Sequence, residues 1–184
     1  ITIFLEAAAG DSGAVAYFDD VALIAWPCPL EEKICLPPPS EQEACVDWKE
    51  EKESREVGPT YQKNGFTFNS LIKQSLRIVS WGLPANQGKM VIQPRGIQVQ
   101  LPFTADRVIA HVVPYHSDPI ILEAFDTSGK KLGQVTATVA KGVIQTLELK
   151  AADITLLIFK GGGNEGLIIN LCAYHKGNTK QAQT

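Results

Sequence analysis

Along residues 96–102, Ile97, Val99 and Leu101 alternate with Gln98 and Gln100, a period of two that sets one side of an extended chain in a core and the other in water. The alternation returns near the end, where Leu167, Ile169 and Leu171 share a face after the turn-forming Gly161, Gly162, Gly163 and Asn164. Short apolar runs of this kind, separated by Gly, Asn and Pro, predict strands near residues 46–48, 65–70, 76–81, 96–101, 107–115, 120–125, 142–149, 154–159 and 166–174. No helical stripe competes. The charged stretch 47–56 contains helix formers but lacks apolar residues at i, i+3 and i+4, so it is expected to be a solvated loop or a single turn. Many short strands joined by such turns imply an all-β fold, an antiparallel β-sandwich of jelly-roll type.

Two further strand candidates stand at the front: residues 1–7, with Ile1, Ile3 and Leu5 on one face, and residues 14–26, separated by a Gly-Asp-Ser-Gly turn. They predict a β-hairpin over residues 1–27, which as two strands alone is marginal in water and needs a packing partner. Pro27, Pro29 and the run Pro37, Pro38 and Pro39 fix backbone torsions and withhold amide donors, so residues 28–44 are expected to be a stiff, acidic, Pro-rich linker. The sandwich is expected over residues 45–176 and a polar tail over 177–184. The chain starts at Ile1 without Met or a signal-like segment, as expected of a stretch from inside a longer precursor.

The composition, 45% hydrophobic and 20% charged, is that of a globular protein, and no apolar run is long enough to insert a helix into a membrane. The net charge of −3 hides an asymmetry. Residues 1–27 hold four acids and no base, residues 28–57 nine acids and four bases, and residues 58–184 seven acids and 13 bases. An acidic front thus precedes a basic body, and self-association between the two is one expected partnership. The bases Lys130, Lys131, Lys141, Lys150, Lys160 and Lys176 are scattered rather than interleaved with aromatics, which argues against nucleic acid. Cys28 and Cys35 bracket a short loop, while Cys45 and Cys172 stand at the start and end of the expected sandwich. An even count in a strand-rich chain fits two disulfides and an extracellular setting; four free thiols in a cytosolic protein are the alternative. Close Cys pairs of the kind that build a zinc knuckle are absent from the sequence.

The stretches VGPTYQKNGFTF, RGIQVQLPFTADRV, IILEAFDTSGKKLG and GGGNEGLIINLCAY, with an A-x-D-x-x-G turn at Ala124, Asp126 and Gly129, have a familiar cadence. It resembles that of the galactose-binding-like, carbohydrate-binding-module-like jelly rolls of secreted bacterial proteins, over roughly residues 58–175, and the FDDVALI strand resembles the tail of a neighbouring module of that class. The resemblance implies a non-catalytic extracellular module that binds glycan through exposed aromatic faces, sometimes with a structural calcium ion held by an acidic residue. Asp19 or Asp20 matches the place of that acid, although both also suit an acidic edge that discourages strand pairing. Stacking on sugar needs flat aromatic faces beside planar amides or guanidinium groups. Trp81, Trp48 and Tyr61 are the aromatic candidates, and Arg95, Gln98 and Gln100 the polar ones; a core plug and plain solvent exposure are the respective alternatives.

Catalysis has little support in the sequence. His111, His116 and His175 are the only histidines, and His116, Ser117 and Asp118 are adjacent in sequence, which does not make a triad. Two functions are therefore expected: a non-catalytic extracellular module that binds glycan or a cell-surface component, or a structural subunit of a filament or surface layer assembled head-to-tail through the N-terminal hairpin.

Overall fold

In the computed structural model, which describes residues 41–138 and 141–176, eleven strands follow in chain order. They are β1 (Gln42–Asp47), β2 (Arg55–Glu56), β3 (Thr60–Lys63), β4 (Phe66–Ser70), β5 (Arg77–Val79), β6 (Lys89–Val91), β7 (Ile97–Val113), β8 (Ile120–Phe125), β9 (Lys131–Thr136), β10 (Gln145–Gly161) and β11 (Leu167–His175). The hairpin expected at 1–27, most of the Pro-rich stretch, Asp19, Asp20, Cys28, Cys35 and the 177–184 tail lie outside the described residues. Every strand pair is antiparallel, and the domain is an all-β sandwich.

The segments expected as separate strands at 96–101 and 107–115 are one strand of 17 residues, β7, and those at 142–149 and 154–159 are likewise one, β10. Each belongs to both layers. Residues 97–100 of β7 pair with β4 and with the end of β10, whereas residues 105–112 pair with the start of β10 and with β11. Register shifts between Lys150 and Leu156, with Asp153 at φ 64°, mark the bulge where β10 turns from one layer to the next. One layer thus holds β3, β4, β8 and β9, and the other β2, β5, β6, β11 and β1. Their inner faces meet through Phe66, Phe68, Val99, Leu122 and Leu157 on one side and Val46, Ile78, Met90, Val108 and Leu171 on the other, all buried. Trp48, just past β1, and Phe68 of β4 close this core edge-to-face, with ring centroids 5.4 Å apart.

Strands β2, β3, β6 and β9 are additions to the sequence expectation. β3 and β4 form a hairpin around Asn64 and Gly65, whose positive φ values of 50° and 80° are those of a type I′ turn, a conformation that glycine reaches without strain. The A-x-D-x-x-G turn is built as the cadence suggests: Asp126 Oδ1 accepts hydrogen bonds from the Ser128 amide and hydroxyl and from the Lys130 amide. The 47–56 stretch is largely loop, stapled by the bidentate pair of Glu51 and Arg55. His111 is hydrogen-bonded to Asn170 at 2.7 Å, and His116 Nδ1 accepts from the Asp118 amide within its own turn.

Cys45 and Cys172 are opposed residues of the β1–β11 ladder and are joined by a disulfide, Cα to Cα 4.1 Å, across a sequence separation of 127. Val46 and Leu171 beside them point into the core, so the bond lies on the outer face. Because neither sulfur fills the core, the Cys45→Ala/Cys172→Ala variant is expected to stay folded at 25 °C but to lose about 2–4 kcal/mol in chemical denaturation. On β8, Glu123 is pinned between Lys131 at 2.7 Å and Lys160 at 2.5 Å, and these hydrogen bonds hold its carboxyl below the ordinary 4.5. A depressed carboxyl contributes stability that is complete above the unfolded-state value and is lost as pH falls through the folded one. Both lysines are half in water, so Glu123→Gln is expected to cost only about 0.5–1 kcal/mol at neutral pH, and its denaturation midpoint should converge on that of the native protein in strong acid.

Candidate functional site

Residues 80–88, SWGLPANQG, link β5 to β6. Outside the main core, Val79, Val91, Val113, Leu167 and Ile169 form a second apolar cluster on which Tyr115 packs. The 80–88 loop lies against this cluster. Gly82 approaches so closely, at φ 80°, that a Cβ there would meet the Tyr115 hydroxyl at 2.8 Å and Leu167 at 3.0 Å. The Tyr115 hydroxyl in turn accepts the Leu83 amide, and the Leu83–Pro84 peptide is cis.

What holds the loop from below is Lys89, the first residue of β6 and fully buried. Its ammonium donates to the carbonyls of Pro84 at 2.6 Å, Gly82 at 3.1 Å and Ser80 at 3.4 Å. Among the described residues no carboxylate balances it, and burial pushes its pKa down from the ordinary 10.5. From the side, Ser54 Oγ accepts the Ser80 amide at 3.1 Å, and Lys52 reaches the Asn86 carbonyl. A loop satisfied from two directions keeps a fixed shape, and it presents Trp81, 43% exposed and edge-on to Tyr115 at 5.8 Å.

Trp81 walls one end of a groove. An open cavity of about 440 Å³ lies between it and Ser54, Arg55 and Glu56 of the β2 edge, with Arg77 and Val79 along β5. A second cavity of about 490 Å³ continues on the far side of Glu56 and Arg77, towards Gln74, Ser75, Gln93 and Pro94. Glu56 and Arg77 are opposed in the β2–β5 ladder, line both cavities, and make no ion pair with any described residue. Arg55 differs: Glu51 grips its guanidinium at 2.8 and 3.0 Å, and that hydrogen-bonded pairing lowers the Glu51 pKa and raises that of Arg55. Gln93 is 8% exposed; its amide donates to the Ser75 carbonyl at 2.9 Å, and its Oε1 is left without a protein partner. The two cavities together follow β5 from Ser75 to Trp81.

Of the residues singled out from sequence, Trp81 alone walls this groove. Trp48 is fully buried against Phe68, which corrects the expectation that it offers a face to ligand: its ring is the core plug. Tyr61 is half-buried at 6.3 Å from Phe68, and burial raises its pKa. Arg95 is exposed in the turn before β7. Gln98 and Gln100 belong to the opposite layer, where Gln100 donates to the Thr155 carbonyl at 2.9 Å. No local pattern marks Arg77, Glu56 and Gln93: the pairing of β2 with β5 opposes Glu56 to Arg77, and Gln93, just past β6, comes near through the pairing of β6 with β5. A third cavity, between Glu41, Asp106 and Tyr174, has its aromatic face already covered by Arg107 at 5.2 Å.

No family model matches the sequence, and neither does any curated protein. Solved structures similar to the chain include a family 6 carbohydrate-binding module, with a TM-score of 0.41 and 15% identity, covering 72% of this chain and 93% of that one. A family two carbohydrate esterase from Cellvibrio japonicus follows, with a TM-score of 0.38 and 9% identity, over 75% of this chain and 35% of that one. A third is a protein of the Bacillus endospore appendages described as disulfide-linked pili, with a TM-score of 0.35 and 10% identity, over 82% of this chain and all of that one. The chain's structural neighbours are thus carbohydrate-binding modules and other β-sandwich proteins. TM-scores this low leave the sandwich assignment resting on the strand pairing itself.

Proposed function

We propose that this protein is a non-catalytic extracellular module that binds a glycan chain along the β2–β5 groove. The observation that carries this reading is Trp81, an exposed indole fixed at one end of a groove whose middle is lined by an uncommitted Arg77 and Glu56. An indole face takes the C–H side of a sugar ring, while a guanidinium and a carboxylate side by side serve its hydroxyls as donor and acceptor. Two cavities meeting at that polar pair suit several linked sugars better than one. The Cys45–Cys172 disulfide supports an extracellular setting. The alternative, a filament subunit assembled through residues 1–27, rests on the hairpin and stiff linker expected from the sequence and on the opposite charges of front and body.

On a glycan array, binding by the full chain is expected to disappear with Trp81→Ala and to weaken at least tenfold with Arg77→Ala, circular dichroism remaining native. Gln98→Ala, on the other layer, should bind as the native protein does. Silence across neutral and acidic glycans would sink the proposal. Lys89→Met leaves three loop carbonyls without their donor. It is expected to speed amide exchange across residues 80–88 but not in β7 or β10, and to weaken the same binding about tenfold, the equivalent of about 1.4 kcal/mol.

A further inference from the structure

The chain enters the described sandwich along β1 and leaves it along β11, and these strands are neighbours. Gln42 lies opposite His175, Glu43 opposite Tyr174, Ala44 opposite Ala173, and Cys45 opposite Cys172. Both flanks therefore attach at the same end of one antiparallel pair. Pulling Glu41 and Lys176 apart opens that pair from its end, so each step loads a single residue pair while the rest of the ladder carries nothing. This is the weakest direction in which a sheet can be strained.

Strand β1 is the one that would peel. Its ladder partner is β11, supplemented by an isolated bridge from Trp48 to Gly88, whereas β11 also pairs with β6 and β7. The end of β11 is pinned further by the Lys176 amide donating to Asp106 and by Arg107 over the Tyr174 ring. Losing β1 would remove the fully buried Val46 and Trp48 from the core. The disulfide is placed before that point, with only the residues from Gln42 to Ala44 and from Ala173 to His175 between it and the open end. Its position on the outer face also separates it from core packing.

We infer that the Cys45–Cys172 disulfide is a tensile clasp, which makes this module a load-bearing link between the segments that flank it. Load passes from Gln42 through the bond to His175 and bypasses everything between Cys45 and Cys172, so the module keeps its fold, and any groove on it, while under tension. The inference stands independently of what the groove binds.

The full chain, tagged at both ends and held in magnetic tweezers, tests this. Under constant load the oxidised chain is expected to show no step from the sandwich, and addition of reductant under that load should release a single step of about 450 Å, the extended length of the 127-residue separation. The Cys45→Ser/Cys172→Ser chain should give the same step at the same load without reductant. A reduced chain that holds the load as long as the oxidised one overturns the inference. Loss of native circular dichroism on reduction at zero load overturns it too, since the fold itself would then require the bond even without tension.

Discussion

Everything in this sandwich hangs on two strands that belong to both layers. A strand of 17 residues is about three times the common length, and it must bend if its two halves are to face each other. β7 and β10 bend together, stay paired on both sides of the bend, and pass the hydrogen-bonded ladder from one layer to the next. The core is consequently the inside of a single folded sheet, and strands added at either end of that sheet inherit a fixed place relative to the rest. The groove is an outcome of this arrangement, because β2 and β5 lie at the far end of the path that starts from β7 and runs through β11 and β6.

At that far end the sheet is thin. β2 is two residues long and β5 three, too few to shape a groove through backbone pairing alone. Side chains supply what the ladder does not. Glu51 fixes Arg55, Ser54 ties the neighbouring loop, and Lys89 gathers three carbonyls beneath Trp81. The groove therefore combines a rigid aromatic wall with a short edge whose polar side chains, Arg77 and Glu56, are not committed to the fold.

Alternation along 96–101 and 166–174 made β7 and β11 legible in sequence, since a period of two survives whenever one face is buried and the other wet. The same rule missed β2, β3 and β6, which are short, β6 being also buried throughout at Lys89, Met90 and Val91, and β9, whose six residues have no alternating burial because Leu132 and Val135 are out of a period of two. The hairpin at Asn64 and Gly65 carried a strong local signal that strand-length reasoning passed over. Merging of neighbouring segments was hidden in β7 because Pro102 and the polar Thr104 and Asp106 mimic a loop, and in β10 because Lys150 and Asp153 do the same around Ala151 and Ala152. Trp81 was readable as a strand-end aromatic beside a polar loop, while Trp48 has the same local appearance and the opposite fate. Burial separates them, and burial depends on residues such as Phe68 that are distant in the chain.

Lys89 has one more consequence. Carbonyl oxygens that converge on a single point make the sort of cradle in which many extracellular loops hold a calcium or sodium ion. Here the positive charge is supplied by a side chain tethered to the backbone. The loop beneath Trp81 thus has its cation built in, at the point where the carbonyls of Ser80, Gly82 and Pro84 converge.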